Sequence, residues 1–167
     1  MSLPAPGGTA GTGRASTISS LFGVWALFLA FVFLQVGNGL QRVLLPMRAE
    51  SEGFGAGSMG VVMAVHFAGY LVGAKGITRA VASVGHIRVF AALASMASAA
   101  VLINSVLVLP ATWATFYFVS GVCTAGVLVI MESWLNDRAS NETRGSILGA
   151  YMMFSMGGTA IGQLLLN

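Results

Sequence analysis

A polar side chain inside an apolar segment costs free energy, so the few that occur point toward function. Asn38, Gln41 and Arg42 lie three or four residues apart near the end of the first long apolar segment and share one helix face. Such a row suits the polar wall of a solute cavity. It also suits a helix end meeting water, with Arg42 extended toward the interface. Gly37 and Gly39 flank Asn38 and let a neighbouring helix approach closely, which favours the cavity. His66 and Tyr70 lie four residues apart on one face of the next apolar segment. A histidine there can exchange a proton near neutral pH. The plainer role, a neutral imidazole hydrogen-bonded to a neighbouring helix, is favoured. Asn38, Gln41, Arg42, His66 and Tyr70 are therefore the candidate substrate-binding set.

The only dense charged patch runs from Glu132 to Arg138 and continues through Asn141-Glu-Thr-Arg144. Glu132, at a membrane edge, needs a cationic partner to stay charged, and Arg88, Arg138 and Arg144 are expected on the same side. Arg88, Glu132, Arg138 and Arg144 are the candidate gating salt-bridge set. The alternative is a solvated loop anchored by Trp134 at the interface. Asn141-Glu-Thr143 fits a glycosylation sequon, but a cytoplasmic loop is not glycosylated. No phosphate loop, serine elbow or His/Cys metal spacing is present, so no enzyme, metal or cofactor is expected. The single cysteine, Cys123, permits no intrachain disulfide.

These side chains need elements to hold them, and the composition says which. Apolar types make up 56% of the 167 residues, charged types only 8%, and mean hydropathy is +0.85. A soluble domain carries roughly a quarter charged residues to wet its surface; here lipid must be the solvent. With so few charges, a net +3 is no footprint for nucleic acid. Charge-free stretches of membrane length predict five helices, near 21–45, 57–78, 88–108, 111–133 and 145–167. Their continuous apolarity fits helices better than the shorter alternating strands of a barrel. A turn is expected at Asn104-Ser105 and Pro110. Residues 1–20, rich in Gly, Ala, Ser, Thr and Pro, read as a flexible cytoplasmic tail. Gly69-x-x-x-Gly73 and Gly158-x-x-x-Gly162 predict close helix packing. With the N-terminus inside, Arg14, Lys75, Arg79, Arg88, Arg138 and Arg144 fall on the cytoplasmic side, and only Arg42 and Arg48 fall outside. The fold class is an all-α, multi-pass transmembrane bundle.

The stretch Glu132-Ser-Trp-Leu-Asn-Asp-Arg-Ala-Ser-Asn-Glu-Thr-Arg-Gly145 is similar to the YcaD-like bacterial branch of the major facilitator superfamily (MFS). So are Val84-Gly-His-Ile-Arg88 and a first helix ending Asn38-Gly-Leu-Gln41. The resemblance covers residues 20–167. It implies helices 1–5 of an N-terminal half built from inverted three-helix units, in a bacterial inner membrane, moving a small solute by alternating access. The general motifs depart from the family pattern. Thr78 and Ala82 stand in the loop signature where Gly and Asp belong, Tyr117 replaces the helix-4 arginine, and Gln163 replaces the antiporter proline. Such transporters are built in sixes, so five helices imply a truncated chain, partnered by its missing C-terminal half or a second membrane chain. An amphipathic drug, a sugar and a small anion all fit the candidate cavity. The alternative is a complete five-helix scaffold or regulator that binds another membrane protein through its glycine faces.

Overall fold

The computed structural model describes residues 12–166, with side chains from Trp25 onward. Five helices make up nearly all of this: α1 (Thr12–Ser51), α2 (Ala56–Val84), α3 (His86–Val106), α4 (Pro110–Arg138) and α5 (Arg144–Leu164). α1 begins inside the segment 1–20 expected as a tail, and residues 1–11 of that segment lie outside the described residues. The all-α expectation holds. Trp25–Ser51, Ala56–Val84, His86–Val106 and Pro110–Arg138 are each long and apolar enough to cross a bilayer. The fifth helix is 21 residues long, but Gln163, Ser155 and its glycines hold its hydropathy below theirs.

The helix ends have local causes. α1 stops at Gly53, whose φ of 75° an L side chain resists. Phe54 N–H donates to the Ala49 carbonyl and Gly53 N–H to Glu50, the paired bonds of a Schellman motif. Phe54 then packs on Leu45, Ala49 and Trp113. α4 opens with Pro110 in its first turn, where a missing N–H costs nothing. The loop expected across 79–87, between the second and third helices, does not form. A single residue, Gly85 at φ 93°, breaks the chain, so Arg79 lies in α2 and Arg88 in the first turn of α3. α4 likewise runs through Arg138, five residues beyond the expected end at 133, which makes Asp137 helical as well as Glu132.

Packing sorts the helices into two parallel pairs. On α2, Gly69 and Gly73 lie against the Phe118 and Val122 backbone of α4, and Gly121 of α4 lies against His66 and Tyr70 backbone. On α5, Gly158 lies against Gln35 and Gly162 against the Val36 backbone of α1, and Gly39 lies against Thr159. Residue numbers rise together across both contacts, so each pair is parallel, as helices two crossings or four crossings apart must be. α3 packs antiparallel to α4, with Leu93 opposite Gly126. The two pairs share one frame. Buried Phe31, Gln35, Gly39, Leu45 and Ala49 of α1 recur at one constant offset as buried Trp113, Tyr117, Gly121, Val127 and Met131 of α4. Val62, Gly69 and Gly73 of α2 recur as Tyr151, Gly158 and Gly162 of α5. Because an odd number of crossings separates the repeats, the second unit is inverted relative to the first.

The core divides into two layers along the bundle. One cluster, including Leu27, Phe31, Ile77, Phe90, Leu93, Ile130, Met131 and Tyr151, sits toward the end where α2 turns into α3. The other, Leu45, Ala49, Val62, Trp113 and Tyr117, sits toward the end where α1 turns into α2. Large exposed residues such as Phe33, Phe67, Leu71, Leu102 and Met153 cover the outside, as lipid-facing surfaces do.

Candidate functional site

Among the described residues each parallel pair carries one polar contact, at the same place in the shared frame. In α2–α4, His66 Nδ1 lies 3.1 Å from the Tyr117 carbonyl, and the imidazole stacks obliquely on the Tyr117 ring at 4.6 Å. A carbonyl only accepts, so the proton of the neutral ring sits on Nδ1. This is the plainer role expected for His66. In α1–α5, Gln35 Nε2 donates to Ser155 Oγ at 2.7 Å, and Asn38 Nδ2 donates to Gln35 Oε1 at 3.2 Å. Gln35 is buried, and its amide is used twice. Its importance was not evident from sequence, because it reads as one more polar residue near a helix end. A Gln35→Leu, Ser155→Ala double-mutant cycle, read by unfolding in SDS, is expected to give a coupling of roughly 0.6–1.7 kcal/mol. A coupling near zero would mean that packing alone holds the pair.

The substrate-binding set divides. Arg42 is exposed on α1, one turn beyond Asn38, and His66 is half-buried on α2 against α4. Pro46, one turn beyond Arg42, leaves the Arg42 carbonyl without its helical donor. Tyr70, one turn beyond His66 on α2, is half-buried beside the Gly121 contact with α4. The Tyr151 hydroxyl has no hydrogen-bond partner among the described residues. Gln41 points elsewhere. With Leu34, Gly37, Leu44 and Arg48 it lines a groove of about 790 Å³ between α1, α3 and α4, which Asn38 reaches from the border of the two faces. Gln41 and Arg42 are adjacent in sequence and so lie about 100° apart around the helix; one wall cannot hold both. The groove lies on α1 where α3 lies on α4: Leu44 is the frame equivalent of Gly126, which meets Leu93.

The gating set comes to one end of the bundle but does not close into ion pairs. Arg138 lies over the Trp134 ring, 4.0 Å from its centre, and Trp134 is buried rather than anchored at the interface. Arg88 and Arg138 line one cavity with His86 and Asp137. His86 Nε2 stands 3.9 Å from Asp137 Oδ2 and 3.3 Å from Ser133 Oγ. Glu132 is exposed on α4 and Arg144 opens α5. Among the described residues the other acid–base contact is Arg48 with Glu52 at 3.7 Å, an exposed pair that contributes little.

Comparison with known proteins agrees with the resemblance in the sequence. The chain is 32% identical over 145 residues to the uncharacterized MFS-type transporter YcaD of Escherichia coli O17:K52:H18 (strain UMN026). It is 29% identical over the same length to an uncharacterized MFS-type transporter of Enterobacter sp. (strain 638). Each match covers 86% of this chain and 38% of the relative, so the chain spans well under half the length of the curated relatives it matches. The chain is thus similar to MFS-type transporters over most of its own length, and four of its helices are long and apolar enough to cross a bilayer. No family model matches it. No solved structure matches it.

Proposed function

We propose that the chain forms one part of an MFS-type secondary transporter that moves a small solute by alternating access. The observation that carries this reading is the repeated frame: two parallel, glycine-packed pairs, inverted relative to each other, each with one polar contact inside. Backbones packed this closely slide or rock as units, and a path between repeats can open to either side. Asn38, Arg42, His66 and Tyr70 form the wall of that path, with Arg42 supplying a fixed positive charge for a solute with anionic or acceptor groups. The groove beside Gln41 seats a further antiparallel helix, from the same polypeptide or a second membrane chain. The N-terminus is cytoplasmic, which places Arg88, Glu132, Arg138 and Arg144 at the inner mouth of a bacterial inner membrane.

Uptake assays on cells expressing the chain in its full genomic reading frame test the path. A sugar, an amphipathic cation and a small organic anion are the solutes to compare, with Arg42→Ala and His66→Ala alongside. Uptake of one class that falls at least about tenfold in Arg42→Ala is the expected result. Uptake unchanged in both variants would remove these residues from the path. For the gate, Glu132→Gln is expected to change labelling of a cysteine at Ser140 more than Glu50→Gln does; equal effects would sink that assignment. The scaffold alternative would have to use open glycines such as Gly37, Gly60 and Gly76, since both G-x-x-x-G pairs, with Gly39 and Gly121, are filled from within the chain.

A further inference from the structure

We propose that the cavity between the α2–α3 break and the end of α4 binds the phosphodiester headgroup of an anionic phospholipid. The cavity holds about 350 Å³ and is lined by Val84, His86, Arg88, Trp134, Asp137 and Arg138. Its charge is unbalanced. Two guanidiniums face one carboxylate, and that carboxylate is 63% exposed and turned toward His86 at 3.9 Å. The first turn of α3 adds to the imbalance. It contains no acid, its cap Gly85 offers no side-chain acceptor, and it carries Arg88 where a helix start favours negative charge. A cation at a helix start is destabilising unless an anion lies beside it.

The surroundings select a lipid over a free anion. Trp134 is buried beneath, and the Arg138 guanidinium carbon stands 4.0 Å from the centre of its ring, a cation–π contact that favours this placement of the charge. At the rim, Val84 and Ile87 are half exposed or more, apolar surface suited to the glycerol and first methylenes rather than to water. α2 and α4 are 29 residues each, longer than a hydrocarbon core requires, so their shared end falls at headgroup depth in a bilayer they span, and basic pockets between helices at that depth take anionic lipids. This inference rests only on the bilayer setting, so it stands or falls independently of solute transport.

The test uses the full chain in detergent, with native mass spectrometry to count bound phosphatidylglycerol, phosphatidylcholine or glycerol phosphate. Phosphatidylglycerol is expected to be retained at least about fivefold over phosphatidylcholine, the size set by one or two arginines at a lipid anion. The preference should vanish in Arg88→Gln/Arg138→Gln and persist in Arg144→Gln, which lies at the same end outside the cavity. Asp137→Asn should raise retention, which keeps the proposal open to test even if the double variant does not fold. No preference in the wild type, an equal loss in Arg144→Gln, or lower retention in Asp137→Asn would each overturn it. Retention of glycerol phosphate as strong as that of the lipid would overturn the lipid assignment in favour of a free-anion site.

Discussion

Gly39→Ala is expected to destabilise the bundle by about 3 kcal/mol, while Gly37→Ala, two residues away, leaves stability unchanged or slightly raised. A Cβ at Gly39 would run into the Thr159 backbone of α5, and backbone cannot rotate aside as a side chain can. α1 and α5 would have to separate along their contact. A Cβ at Gly37 meets nothing within 4 Å. The second pair should behave the same way: Gly121→Ala would press on the His66 carbonyl and force α2 from α4, whereas Gly76→Ala meets open space. Reversible unfolding in SDS or bicelles measures all four. Equal effects of Gly39→Ala and Gly37→Ala would mean that the two helix pairs do not pack on glycine.

Trp113→Ala is expected to cost about 3–5 kcal/mol, the upper range for a buried aromatic. Trp113 is among the largest fully buried side chains, and its ring packs 5.0 Å from that of Phe54. Its Nε1 donates to the Asn104 carbonyl at 3.1 Å. That carbonyl belongs to the last turn of α3, where intrahelical donors run out, so Trp113 serves as a cap from the following helix. Trp113→Phe keeps most of the packing and should cost only about 1 kcal/mol, the share of the hydrogen bond. The difference between the two variants, read from the same unfolding curves, separates packing from capping. Equal costs would show that the bond, not the ring volume, sets the stability of this layer.

Residues with strong local physics were legible from the sequence. Pro110 marks a helix start and the Asn104-Ser105 region a helix end, and the structure turns there, across residues 107–109. Gly69, Gly73, Gly158 and Gly162 were expected at helix contacts and are found there. His66 was expected to bond to a neighbouring helix and does so through Tyr117. The loops were less legible. Charges at Arg79, Asp137 and Arg138 read as loop residues because lipid excludes them. Helices of 29 residues, about 44 Å long, carry such charges beyond a hydrocarbon core of about 30 Å without breaking.

The candidate site was harder still. Asn38, Gln41 and Arg42 satisfy one face within the tolerance of spacing, yet Gln41 lines the groove beside α3 and α4 while Arg42, about 100° further round α1, does not. Gln35 carried no sign of its two hydrogen bonds, since its partner Ser155 lies 120 residues away. Composition and apolar run length by themselves determined that this chain is a helical bundle in lipid, because a bilayer leaves the backbone no other way to satisfy its hydrogen bonds. They could not determine which helices pair. The recurrence of Phe31, Gln35 and Gly39 as Trp113, Tyr117 and Gly121 shares burial and position but only one residue type. Only the tertiary structure decided it, because a glycine's role depends on which backbone comes to lie against it.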